Sequence, residues 1–186
     1  MRKLVYLVHS SLDGHIEAPD GVFDWPVMGP ELSAYSQELT ARADAFLYGR
    51  LVWDMMSHYW PNAESISDHP HDLAFAPVWR RTPKFVFSRT LDKADWNTTV
   101  LSGDLATEVA ALKAEPGKDL LLTGGSQLAS ALTREGLIDE YQVVVQPVVL
   151  GGGKKLFPEP QDRLRLALVD TRTFDGDTVL LRYRRA

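Results

Sequence analysis

Short apolar runs alternate along the chain with stretches whose apolar residues recur every three or four positions, a pattern of strands interleaved with amphipathic helices. Lys3–Val8 (KLVYLV) is nearly continuous in apolar residues, as expected of a strand covered on both faces. It breaks into HSSLDGHIEAPDG, a loop with two Asp-Gly turn signals. Pro30 opens a helix that carries Leu32, Tyr35 and Leu39 on one face. Asp44–Arg50 (DAFLYGR) predicts a second strand that runs into a helix with Leu51/Met55 and Val52/Met56/Tyr59 spacings. The polar, aperiodic stretch from Pro61 to Asp72 predicts an exposed loop, and a short helix is expected over Leu73–Trp79.

Lys84–Ser88 and Thr98–Ser102 read as strands, and Asp104 as the cap of a helix with Leu105, Val109 and Leu112 on one face, stopped by Glu115-Pro116-Gly117. Asp119–Thr123 predicts a further strand, and Ser126–Glu135 a helix ending at Gly136. Glu140–Leu150 is a long strand in which Pro147 marks a bulge or an edge. From Arg165 onward the pattern alternates on both sides of Asp175-Gly176, a hairpin signal. The expectation is a single α/β domain over residues 1–186: a mostly parallel central sheet with helices on both faces, closed by a C-terminal antiparallel hairpin.

Composition narrows the chemistry. The 186 residues contain no cysteine, which excludes disulfides, thiolate catalysis and Cys-ligated zinc. A formal net charge of −5 offers no global basic field for nucleic acid or an anionic membrane. The apolar run at the N-terminus is too short for a signal peptide, and no stretch approaches the roughly 20 apolar residues of a membrane span. A cytoplasmic protein with neither nucleic-acid nor membrane partners is expected.

Three strand ends carry candidate chemistry. Gly49-Arg50 stands between a strand and a helix, where backbone N–H groups make an anion site; the alternative is a turn glycine beside a solvated arginine. Ser88-Arg89 follows another strand, a position from which an arginine meets a nucleotide's 2′-phosphate, or merely solvates the surface. Gly124-Gly125-Ser126-Gln127 leads from strand to helix, and its glycines let a pyrophosphate approach the backbone. None of these is a Gly-x-Gly-x-x-Gly fingerprint. LGGGKK is not a Walker loop, since Val148 and Lys155 stand where Gly and Ser/Thr belong. SDHPHD (Ser67–Asp72) offers metal-ligand types but reads as solvated side chains, and no Gly-x-Ser-x-Gly elbow is present. Trp53, Tyr59 and Trp60 read as core, with an aromatic wall beside a ligand as the alternative.

Five pieces in order (SSLDGHI, ADAFLYGR, PKFVFSRTL, LLLTGGSQLASALTREGLIDEY and QPVVLGGGKKLF) resemble the dihydrofolate-reductase-like superfamily over nearly the whole chain. Within it, the chain is most similar to stand-alone relatives of the reductase domain of the bifunctional riboflavin-biosynthesis deaminase/reductase. The resemblance implies the three-layer fold of that superfamily, a homodimer, and hydride transfer from NADPH. It implies that Gly49, Arg50 and Gly124, Gly125, Ser126, Gln127 and Leu128 hold the cofactor phosphates, that Ser88 and Arg89 take the 2′-phosphate, and that His9 and Ile16 lie against the nicotinamide. Gly151, Gly152, Gly153 and Lys154 are implied at the substrate, with Lys154 or Lys155 able to meet a substrate phosphate.

The nearest match to the superfamily's helix-borne acid, reached by allowing two extra residues, is Glu31, the candidate proton donor. The deaminase half of the bifunctional enzyme needs a cysteine-bearing zinc motif, so deamination is excluded. The reaction implied is reduction of a C=N or C=O in a small heterocycle, first of all 5-amino-6-(5-phosphoribosylamino)uracil. The alternatives are a pterin-type reductase or a nucleotide-binding module that performs no reduction.

Overall fold

The computed structural model describes residues 1–158 and 162–186. Strand β1 (Leu4–Ser11) lies near the middle of an eight-stranded sheet, with β6 (Asp119–Thr123) on one side and β7 (Glu140–Gln146) on the other, both parallel to it. Beyond β6 follow β3 (Ala43–Gly49), β4 (Lys84–Phe87) and β5 (Thr98–Leu101), all parallel. Beyond β7 come β10 (Thr178–Arg185) and β9 (Leu166–Phe174), antiparallel and joined as the hairpin that Asp175-Gly176 foretold.

Consecutive side chains of the inner strands feed two different cores, which is why these strands read as unbroken apolar runs. Leu120 and Leu122 join Leu4, Tyr6 and Val8 beneath α5 (Leu105–Ala114) and α6 (Ser126–Arg134). Leu121 joins Val5, Phe46 and Tyr48 on the other face, beneath α1 (Pro30–Ala41), α2 (Arg50–Tyr59) and α4 (Pro70–Arg81). There the Trp53 ring stacks on Trp79 at 5.8 Å, so Trp53 is core, as expected. Lys84 is 1% exposed and has no carboxylate partner among the described residues; its ammonium donates to the Trp79 and Thr82 carbonyls at the end of α4, both at 2.6 Å.

The structure departs from the sequence reading in four places. Residues 61–72 are not a loop: a short 3-10 turn (Trp60–Asn62) and a one-turn helix α3 (Ala63–Ile66) precede α4, which begins at Pro70. Pro70 is suited to a first helical turn because its missing N–H has no partner to lose there, and His69 caps the helix by accepting from the His71 amide at 3.2 Å. Strand β7 ends at Gln146, so Pro147 stops the strand instead of bulging it. Both edges of β7 are paired, so it offers no free edge to a second copy. Finally, β2 (His15–Glu17) and β8 (Lys154–Lys155) form a small second sheet that no periodicity could announce. Among the described residues, no helix is long and apolar enough to cross a membrane.

Candidate functional site

Because β1, β3, β4 and β6 run parallel, their C-terminal ends share one edge of the sheet, where a cleft of roughly 850 Å³ opens. His9, Ile16, Gly49, Arg50, Lys154 and the run Gly124–Leu128 all line it. Chain segments more than a hundred residues apart are thus brought to one wall.

Two of the helices that line this cleft begin without a side-chain cap. The Asp104 carboxylate caps α5, His69 caps α4, and Asp175 caps α1 by accepting from the Glu31 and Leu32 amides at 2.9 and 3.2 Å. Helices α2 and α6 start at Gly49 and Gly125 with no side-chain cap, leaving their first N–H groups for a ligand. The two ends are close: a Cβ on Gly125 would stand 2.9 Å from Val52, and one on Gly49 would stand 3.5 Å from Leu128. Gly124 and Gly125 hold φ of +65° and +71°, which only glycine adopts without strain in such a turn. The Ser126 hydroxyl, in a residue 2% exposed, has no hydrogen-bond partner among the described residues. A buried unsatisfied hydroxyl beside two bare helix ends is the donor set of an anion cradle.

Ser88 and Arg89 lie just outside the cleft wall. In register Gly49 pairs with Phe87, which lines the cleft, so Ser88 and Arg89 continue from the strand next to the cradle. The Ser88 hydroxyl ties the turn by accepting from the amides of Thr90 and Leu91. Arg89 is exposed and makes no ion pair among the described residues. Arg50, in contrast, is clamped by both oxygens of Asp54 at 2.8–2.9 Å.

Glu31 is not at the cleft. Its carboxylate accepts from the Asp175 amide at 2.5 Å while its own amide donates to Asp175, so hairpin turn and helix end satisfy each other. The structure thus places the Glu31 carboxylate, the candidate proton donor, in a cap and outside the cleft lining. The three glycines before Lys154 are also off the wall. Gly151 donates its amide to Asp13 and Gly152 faces Pro19. Gly153 leaves room for the Glu17 carbonyl, which a Cβ would strike. Lys154 does line the cleft, in an ion pair with Glu17 at 2.8 Å.

Apart from Tyr59 and Trp60, for which an aromatic wall was the alternative reading, the apolar and imidazole part of the lining was largely missed. Trp60, Phe75, Met55, Met56 and Phe23 face the cleft, where a 3.6-residue pattern cannot tell a pocket wall from a core. His71, expected among solvated side chains, is 8% exposed, bonded to the Ser33 hydroxyl at 3.0 Å and lines the cleft. Burial lowers its pKa; Asp72 opposes the shift and His69 adds to it. His9 is pulled from 6.5 to about 4, by burial first and by His71 second. Both rings are neutral near pH 7. Among the described residues, no three acidic, His or Cys groups converge on a metal-sized site.

Residues 2–180 match the RibD C-terminal domain. The chain belongs to that family. Relatives of similar length include the uncharacterized proteins YyaP and YwjB of Bacillus subtilis (strain 168). YyaP is 34% identical over 182 residues, covering 98% of this chain and 94% of that one, and YwjB is 32% identical over 190 residues, covering 100% and 99%. Among solved structures, the Thermotoga maritima diaminohydroxyphosphoribosylaminopyrimidine deaminase/5-amino-6-(5-phosphoribosylamino)uracil reductase superposes with a TM-score of 0.70 at 16% identity, over all of this chain and 57% of that one. Enterococcus faecalis dihydrofolate reductase, complexed with NADP(H), gives a TM-score of 0.66 at 15% identity, over 98% and 96%. The fold is dihydrofolate-reductase-like.

Proposed function

We propose that the protein is an NADPH-dependent reductase that delivers hydride to a C=N or C=O of a small heterocycle. One observation carries this reading: two adjacent uncapped helix ends and the orphaned Ser126 hydroxyl form an anion cradle on the cleft. The residues fit the cofactor. The amides around Gly49–Arg50 and Gly124–Leu128 suit its pyrophosphate, and the unpaired Arg89 suits a 2′-phosphate. When bound, NADPH supplies the hydride; the chain orients the reactants and excludes water. Ile16, 8% exposed on the cleft, provides apolar cover of the kind a nicotinamide face needs. That a dihydrofolate reductase of the same fold is complexed with NADP(H), and that the Thermotoga relative is named a reductase, supports the same chemistry here.

Calorimetric titration tests the proposal. The protein should bind NADPH in preference to NADH, and Arg89→Ala should weaken NADPH about 10- to 100-fold while changing NADH little, the loss of a charge-assisted phosphate contact. Equal losses would remove Arg89 from the 2′-phosphate site, and binding of neither nucleotide would sink the reductase reading. A second reading, a nucleotide-binding module without reduction, is favoured by one observation: the Glu31 carboxylate is engaged elsewhere. NADPH oxidation with any pyrimidine, pterin or quinone-like acceptor decides against it.

A further inference from the structure

We infer that the acceptor taken by this cleft is an uncharged, planar heteroaromatic ring that carries no phosphate. The inference rests on the reductase reading above and concerns the other end of the same cleft. Helix α2, ten residues long, forms part of the wall and spans about 15 Å, so Arg50 at the cradle and Tyr59 at its far end are well separated. At that far end the surfaces are aromatic. The Trp60 ring lies 4.6 Å from Phe75 and 5.0 Å from Tyr59, and its N–H donates to the Met56 sulfur. The His71 ring stacks on Phe75 with an interplanar angle of 10°.

The ionic groups of the wall leave nothing for a substrate phosphate. Among the described residues the cleft-lining cations are Arg50 and Lys154, and each is neutralised, by Asp54 and Glu17, at 2.8 Å. Beside the aromatic cluster the charged group is Asp72, which accepts from the Tyr59 and Ser67 hydroxyls at 2.6 and 2.7 Å. A phosphate dianion in this part of the cleft would face a carboxylate without a countercharge and would have to displace Glu17 to reach Lys154. A neutral ring buries against the aromatic faces at no such cost.

The wall also supplies neutral polar groups suited to a heterocycle's edge. The Gln146 amide is oriented by Val27, whose N–H it accepts and whose carbonyl it bonds, each at 3.2 Å. Its nitrogen therefore donates to His9 Nδ1, which places the His9 hydrogen on Nε2. That N–H has no partner among the described residues and serves a ring carbonyl or nitrogen. His71 is bonded at Nδ1 to the Ser33 hydroxyl, and its second ring nitrogen is a donor or an acceptor according to which of the two carries the hydrogen.

The test compares 5-amino-6-(5-phosphoribosylamino)uracil with the same compound lacking its phosphate, by calorimetry on the full chain, with and without saturating NADPH. The dephosphorylated ring should bind at least about tenfold more tightly. Equal or tighter binding of the phosphorylated compound overturns the inference, and so does failure of both to bind. Glu17→Gln, which frees Lys154, should shrink the preference to about threefold or less; an unchanged preference overturns the charge argument. Because ring binding is also read without cofactor, a failure to bind NADPH would count against the reductase reading alone.

Discussion

His9 stands at the C-terminal part of β1 with one nitrogen fixed by Gln146 and a second imidazole, His71, close enough to add to its shift. Its pKa in the folded protein, about 4 against 6.5 unfolded, makes it a stability switch as well as a cleft residue. Between those values the unfolded chain binds more protons than the native one, so native stability falls as pH drops from 6.5 toward 4. At about 1.36 kcal/mol per unit, the full penalty is at most about 3.4 kcal/mol. His9→Gln should therefore flatten the acid limb of a plot of Tm against pH below 6.5, whereas an unchanged limb would assign the acid lability to other groups. The neutral imidazole itself was not legible: a lone histidine after an apolar run shows its residue type, not its burial or the glutamine 137 positions away that sets its tautomer.

At the scale of elements, punctuation was legible and tertiary pairing was not. Gly29-Pro30 announced α1 and Asp175-Gly176 announced the β9–β10 hairpin, but nothing in either stretch says that Asp175 caps α1. The bond from the Asp175 amide to Glu31 was not legible for that reason, since a carboxylate in a first helical turn looks the same whether it faces a ligand or another turn. Residues 61–72 were misread because prolines and charges outweighed a usable start signal, His69-Pro70. The cap predicts its own test. Asp175→Ala deprives the Glu31 and Leu32 amides of their acceptor and puts a β-carbon without a polar group at φ +54°, which should cost about 1–2 kcal/mol. Asp175→Asn keeps an acceptor and tolerates that backbone, so it should cost less. Urea midpoints for the two variants check the order.

For the whole molecule, the two cores and the strand ends that meet at the cleft follow from the alternation of the sequence, because parallel strands must all deliver their C-terminal ends to one edge. What occupies the rest of that edge did not follow, since Met55, Phe75 and Trp60 carry the same apolar signal in a wall as in a core. A cleft formed by α2, α6, β1 and the small β2–β8 sheet ties ligand binding to the global fold. NADPH at a hundred times its Kd should add about 2.7 kcal/mol of stability. For a chain of this size that raises Tm by about 5–10 °C, and differential scanning calorimetry with NADPH and NADH should rank the two shifts in the order of their affinities.

The place of β1 has a consequence for how the molecule comes into being. Leu4–Ser11 is translated well before its neighbours, since both its hydrogen-bonding edges belong to strands at 119–123 and 140–146. Until those strands have been made this apolar segment has no native neighbour, so the nascent chain presents an open strand. The central sheet cannot close until residue 146 has been made, and its long-range parallel pairing favours slow folding.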